Sequence, residues 1–338
     1  MHIIAADVGG TKTRLAFANV DEPGNILFEA RYLSADFESF EPMLQTFIKG
    51  YKAAASKFQS ATIDALTLAL PGLVSETSAS LTNLPWVIKK QLLIDTFGIK
   101  NVYFMNDFQA SALGTGQLLE SEKIILNPGN SESDNLTKNT TRVTVGAGTG
   151  LGVAWTQDVL QGDKVSTYAY DTEGGHIDFA PVDDIQIRLL QFLQKRHGHV
   201  SYERILSGDG LVMLYQFCAD QQCDGISAEW VNKQSVSNQA ADDALSLFVK
   251  IYGAYVGNIA LLYKPYGGIY ITGGIAAKIL NKMQSKEFIN GYLNKGRMRS
   301  LVEKIAVYLV TNERVGMLGA LSETMKIRHA DQHREQND

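Results

Sequence analysis

Apolar residues run without interruption from Ile3 to Ala6, give way at Asp7-Val8-Gly9-Gly10-Thr11-Lys12-Thr13-Arg14, and resume at Leu15-Ala16-Phe17-Ala18. Two apolar runs around a short polar stretch with paired glycines predict strand, tight turn, strand. Residues 26–32 supply a third strand, and residues 40–58 carry apolar side chains at helical spacing. Residues 65–70 return to a strand that Pro71-Gly72 stops. Thr82-Asn83-Leu84-Pro85-Trp86 reads as a shaped loop, residues 89–97 as a short helix, and Val102-Tyr103-Phe104-Met105 as a buried strand by its β-branched and aromatic content. Residues 119–142, rich in Ser, Asn, Thr and charge, read as a surface excursion.

From Arg142 the opening design repeats. Val143-Thr144-Val145 leads into Gly146-Ala147-Gly148-Thr149-Gly150-Leu151-Gly152, and Val153-Ala154-Trp155 follows, so the chain carries two related hairpins, one per domain. Further on, residues 185–196 form an amphipathic helix, and residues 198–208 enter another. Residues 240–263 make a long helical pattern in which Gly253 and Gly257, four apart, permit close packing. Gly268-Ile269-Tyr270-Ile271-Thr272-Gly273-Gly274-Ile275 reads as strand, Gly-Gly, helix, and the charged tail, residues 328–338, as frayed. Strands alternating with helices predict an α/β protein with mixed sheets.

A length of 338 residues suffices for two domains with separate cores. The formal net charge of −5 disfavours nucleic acid or an anionic membrane as main partner. Met1 leads straight into the first strand without a signal-peptide pattern, so the expected location is cytoplasmic. Cys218 and Cys223 are then reduced thiols, too few for a disulfide framework and without partners for zinc. The sequons at Asn135 and Asn139 mark only a polar loop, since glycosylation needs the secretory route.

Composition leaves function open; the turns narrow it. Gly9 and Gly10 let backbone N–H groups approach a ligand, while Thr11, Lys12 and Arg14 add donors for phosphate oxygens. Asp7 beside such a turn would repel the ligand unless a divalent cation lay between them, directly or through water. An ordinary hairpin fits the same stretch equally well. Neither turn matches G-x-G-x-x-G, and no G-x-x-x-x-G-K-[ST] element occurs, which weakens the dinucleotide oxidoreductase and P-loop readings. Asn106-Asp107 ends a strand, where α/β sheets gather ligands, although either residue could simply cap the next helix. Glu173-Gly174-Gly175-His176 brings an acid and an imidazole onto one loop, a suitable pair for a polyhydroxylated ligand. Glu203, by default, complements a helix N-terminus. The Gly273-Gly274 backbone can approach a flat or anionic group at a helix start.

Taken in order, Asp7-Val8-Gly9-Gly10-Thr11, Asn106-Asp107-Phe108, residues 146–152, Glu173-Gly174-Gly175-His176-Ile177-Asp178-Phe179-Ala180-Pro181, Gly198-His199-Val200-Ser201-Tyr202-Glu203-Arg204 and Gly273-Gly274-Ile275 resemble the bacterial glucokinase family of the actin-like sugar kinase superfamily. The resemblance covers nearly the whole chain. It implies two actin-like (ribonuclease H-like) α/β domains with mixed sheets flanking a cleft, residues 1–117 plus 311–338 and residues 118–310. It implies ATP-dependent phosphorylation of glucose at its 6-hydroxyl, with magnesium and commonly as a homodimer. Under it Asp107 is the catalytic base, and Asn106, Glu173, His176 and Glu203 are sugar ligands. Thr11 and Gly148-Thr149-Gly150 would hold phosphates, and Gly273-Gly274 would line the adenosine site; Asp7 would meet magnesium through water.

Three departures stand out. Lys12 occupies a position where close bacterial glucokinases often carry Asn, Asp209 replaces a frequent proline, and the polar excursion is long. A kinase for another hexose and a non-sugar actin-fold ATPase are the alternatives. The ATPase leaves Glu173, His176 and Glu203 unexplained. A sugar-responsive repressor would need a DNA-binding module, for which the stretch ahead of the first strand has no room.

Overall fold

The computed structural model describes residues 1–19, 26–55, 58, 61–81, 84–130, 140–162, 164–221, 223 and 225–335. The chain begins with β1 (His2–Val8), β2 (Lys12–Asn19), β3 (Ile26–Leu33), α1 (Phe40–Ala54), β4 (Ala65–Leu70), β5 (Gly72–Val74), β6 (Ser78–Leu81), β7 (Val87–Lys89), α2 (Lys90–Phe97), β8 (Asn101–Asn106) and α3 (Asp107–Gly114). It continues through β9 (Lys123–Asn127), β10 (Thr141–Ala147), β11 (Leu151–Gln161), β12 (Lys164–Thr172), α4 (Asp184–His197), α5 (Gly208–Ala219), α6 (Ala228–Gln234) and α7 (Gln239–Tyr263). Then come β13 (Ile269–Thr272), α8 (Gly274–Lys278), α9 (Leu280–Met283), α10 (Lys286–Leu293), α11 (Arg299–Val302), β14 (Val307–Val310) and α12 (Val315–Glu335). These elements form two compact units, Met1–Leu118 with Asn312–Asp338 and Leu119–Thr311.

In the first unit the main sheet has the order β3-β2-β1-β4-β8, antiparallel through β1–β3 and parallel from β1 to β8. The uninterrupted apolar run of β1 follows from burial on both faces. Ile4, Ala6 and Val8 join Phe40, Met43, Leu44, Phe47 and Tyr51 of α1 in one core. On the other face Ala5 lies beside Ala16 and Thr67, all small, which lets α12 approach closely enough for Thr324 Oγ1 to donate to Thr67 Oγ1 at 2.6 Å. The helices α12 and α3 cross just as tightly: a Cβ added to Gly114 or Gly319 would strike the carbonyl of Val315 or Ala110. A small antiparallel sheet, β5-β6-β7, completes the unit.

The second unit repeats the plan. Its sheet runs β12-β11-β10-β13-β14-β9, antiparallel through β10–β12 and parallel from β10 to β14. The long apolar α7 is the core helix, with 72% of its most apolar window buried. Gly253, Gly257 and Gly291 allow it to lie against α10, since a Cβ on Gly253 would meet the Phe288 carbonyl and one on Gly291 the Lys250 carbonyl.

Three expectations need correction. Residues 119–142 are not wholly a surface excursion: Ile124-Ile125-Leu126 form β9, an antiparallel partner of β14, with Ile125 exposed and Asn127 buried and donating to the Glu303 and Ile305 carbonyls. An edge strand open on one face needs few apolar residues, so its polar neighbours masked it. The sequon residues Asn135 and Asn139 lie outside the described residues. The helix expected over 40–58 ends at Ala54, with Ala55 extended. The charged tail continues α12 to Glu335, because nothing after Gly319 is Gly or Pro.

Candidate active site

In the first unit β1 delivers Asp7 to the turn, and Gly9 N–H closes that turn on the Lys12 carbonyl at 3.0 Å. Gly9 is required there, because a Cβ would lie 2.7 Å from the same oxygen. Ser34, fully buried after β3, clamps the turn from behind. Its Oγ donates to the Gly9 carbonyl at 2.7 Å and meets Thr13 Oγ1 at 3.1 Å, and its N–H donates to the Thr11 carbonyl at 3.0 Å. Thr11 and Lys12 project outward from this braced turn.

Asn106 ends β8 and caps α3: its Oδ1 accepts from Phe108 N–H at 2.8 Å and Gln109 N–H at 3.2 Å, and Gln109 Oε1 accepts from Asn106 N–H. Capping leaves the Asn106 Nδ2 group as the donor for a ligand. Asp107 takes the first helical position, where its Oδ1 accepts from Phe108 N–H at 2.9 Å. Burial raises its carboxyl above the ordinary range against those hydrogen bonds. Asp7 is pushed up to about 6, first by burial and then by the charge of Asp107, with Arg14 opposing. The Asp7 carboxylate also lies against the start of α12, since a Cβ on Gly316 would stand 2.7 Å from its Oδ2. Two carboxylates that disfavour each other's charge beside a phosphate-type turn suit a hard divalent cation. Among the described residues no group of three or more His, Cys, Asp or Glu side chains gathers as a ready metal cage. Magnesium needs none, because it keeps waters and takes phosphate oxygens alongside one or two carboxylates.

In the second unit Gly148 N–H donates to the Gly150 carbonyl at 2.8 Å, and Gly208 N–H donates to the Gly148 carbonyl at 2.9 Å. A Cβ built on Gly148 or on Gly274 would meet nothing within 4 Å, so both turns leave room for a ligand against the backbone. Gly273, at φ 88°, presses against the Ala147 carbonyl and brings the start of α8 to the end of β10.

Glu203 sits on a short 3-10 turn, Tyr202–Arg204, ahead of α5, and does not complement a helix N-terminus. Instead its Oε2 accepts from Leu151 N–H at 2.9 Å and would lie 2.5 Å from a Cβ on Gly150. His176 places Nδ1 3.8 Å from Glu203 Oε1 and Nε2 3.6 Å from Glu173 Oε2. Glu173 is 90% exposed and Glu203 31%, so the three form an open polar cluster graded from solvent inward. A cavity of about 350 Å³ continues from Thr149 and Glu203 to Ser207, Asp209 and Gly210. Asp209 lies in the first turn of α5, where Ser207 caps by accepting from Gly210 N–H at 3.1 Å.

Arg14, expected as a further phosphate donor, is instead paired with Glu29 and Glu313, each at 3.0 Å. Two clusters hold the residues that the resemblance assigns to the site. One contains Asp7, the Gly9–Lys12 turn, Asn106 and Asp107; the other contains the Gly148–Gly150 turn, Glu173, His176, Glu203, Gly273 and Gly274. The supports Ser34 and Gly316 escaped sequence reasoning. A serine after a strand carries no signal, whereas Gly316 and Gly319, three apart in a helix, do mark one crowded face.

The Glucokinase family model matches residues 4–326. A glucokinase of Nostoc punctiforme is 33% identical, the alignment covering 94% of this chain and 97% of that protein. A glucokinase of Photorhabdus laumondii is 34% identical, with 94% and 95% covered. The crystal structure of a glucokinase from an Antarctic psychrotroph superposes with a TM-score of 0.80 at 27% identity, over 95% of this chain and 97% of that one.

Proposed function

The chain belongs to the glucokinase family, and from that membership we propose that it transfers the γ-phosphoryl group of ATP to the 6-hydroxyl of glucose. The observation that carries this reading is the Glu173–His176–Glu203 cluster, tied to the glycine turn by the Leu151 N–H bond. A plain ATPase has no use for two carboxylates and an imidazole set to bind hydroxyls beside a phosphate turn.

Glu173 and Glu203 accept hydrogen bonds from sugar hydroxyls, His176 offers one donor and one acceptor, and Asn106 adds its amide. Asp107 takes the proton of the 6-hydroxyl as that oxygen attacks phosphorus. Its raised carboxyl pKa makes it a better proton acceptor than a solvated carboxylate. Thr11, Lys12 and the Gly148-Thr149-Gly150 backbone hold phosphate oxygens, and Gly273-Gly274 line the adenosine. Magnesium, held by Asp7 through water, would neutralise the charge of the phosphate chain.

We further propose a cytoplasmic homodimer; the two free thiols, Cys218 and Cys223, are in keeping with a reducing compartment. Glucose-dependent ADP release by the purified chain tests the activity. ADP release that is insensitive to glucose would overturn it.

A further inference from the structure

Behind the polar cluster lies a half-buried ammonium that the reaction does not use. Lys295, between α10 and α11, donates to the Ala254 carbonyl at 2.8 Å and to Asn258 Oδ1 at 2.8 Å, both on α7. Among the described residues no carboxylate lies within ion-pair distance of it. Gly257 makes the room, since a Cβ there would press on the lysine's own chain and stand 2.5 Å from the Tyr292 carbonyl. Even half-buried, a cation without a counter-charge loses some of its hydration, and a methionine would fill the same space without that loss. Burial draws its pKa down to about 8.

The hydrogen bonds continue toward the cluster. Asn258 Nδ2 donates to the Tyr202 phenol oxygen at 3.1 Å, and Ala180 on the Glu173–His176 loop bonds to the same oxygen. Tyr202 N–H donates to the Ile177 carbonyl at 3.0 Å, directly after His176, and Tyr202 itself precedes Glu203. Tyr255, also on α7, packs its ring 4.6 Å from that of Tyr202 and donates its hydroxyl to the Gly174 carbonyl at 2.8 Å. The loop with Glu173 and His176 and the turn with Glu203 are thus both fastened to α7 through Tyr202, and Lys295 fixes the amide that fastens it.

We propose that Lys295 is a positioning residue for sugar binding: acting through Asn258 and Tyr202, it holds Glu173, His176 and Glu203 at the separation that the sugar hydroxyls require. The proposal rests on reading those three residues as sugar ligands. It calls for Lys295 and not an apolar residue because Asn258 Oδ1 must be held by a donor for its Nδ2 to face the phenol.

The test is the steady-state kinetics of Lys295→Met, Tyr202→Phe and the double variant, with Glu203→Gln as reference. Lys295→Met should raise the KM for glucose about tenfold and Tyr202→Phe somewhat less, the loss expected when one partly buried hydrogen bond fails. The KM for ATP should stay within about twofold, and the double variant should be no worse than Lys295→Met, since both act through one chain. Should Lys295→Met fail to fold, Tyr202→Phe, which removes one oxygen and keeps the ring, carries the test. An unchanged glucose KM in Tyr202→Phe and Lys295→Met, with a raised one in Glu203→Gln, overturns the positioning role alone. An unchanged glucose KM in Glu203→Gln overturns the ligand assignment and this proposal with it.

Discussion

Asp107 and Asp7 are both aspartates beside the same turn, yet their surroundings suit them to different work. Asp107 is anchored by Phe108 N–H at the head of α3 and has a raised proton affinity, so under the proposed function its replacement by Asn keeps the shape and loses the base. Turnover of Asp107→Asn should fall by about two to four orders of magnitude with an unchanged melting temperature; near-normal turnover would remove it from the reaction. Asp7 responds to pH in a direction that can be worked out. Its carboxyl ionises at about 6 when folded and at 3.8 ordinarily, so between those values the folded chain holds a proton that the unfolded chain has released. Stability from this group therefore declines as pH rises from about 4 to 6. Asp7→Asn, which cannot ionise, should gain stability over the parent protein across that window in thermal melts, and a parallel pair of melting curves would contradict the assignment.

Elements show what a single sequence reveals and hides. The two strand–turn–strand hairpins were legible because apolar runs and paired glycines are local signals, and so was α7, whose glycines report its own packing. The edge strand β9 was not, because pairing with β14 supplies what its three apolar residues lack. In the site, Asn106, Asp107, Glu173 and His176 stood out through neighbouring glycines or a strand end. Glu203 showed only as a residue of the family's motif. Its partner, the Leu151 N–H, is 52 positions away and has no local trace. That contact makes the turn sensitive to size: a methyl group at Gly150 would lie 2.5 Å from Glu203 Oε2. Gly150→Ala should displace the carboxylate and raise the KM for glucose several-fold, whereas Gly148→Ala, whose Cβ meets nothing, should fold normally and act on the KM for ATP. Equal effects of the two substitutions on both substrates would show that the turn does not divide these tasks.

At the scale of the whole molecule the chain uses one plan twice: an antiparallel three-stranded ribbon extended by two parallel strands, with the glycine turn after the first strand of each ribbon. Only the second copy adds the Glu173–His176 loop and Glu203, so under the proposed function the sugar ligands are an addition to a duplicated glycine-turn frame. The helix α12 returns the chain to the first unit and packs against Asp7 and α3, which makes that unit depend on both ends of the chain. The proposed homodimer predicts a light-scattering mass of about twice the 37.1 kDa chain, and a monomer mass at working concentration would refute it. The central claim is that two acids and an imidazole choose glucose, each hydroxyl misplaced by an epimer leaving unpaired a polar group that the bound sugar covers, at about 1 to 3 kcal/mol. Its most direct measurement is the specificity constant with ATP for glucose against mannose, fructose and N-acetylmannosamine. Glucose should exceed each by roughly tenfold or more, and any of the three matching or surpassing it would contradict the account.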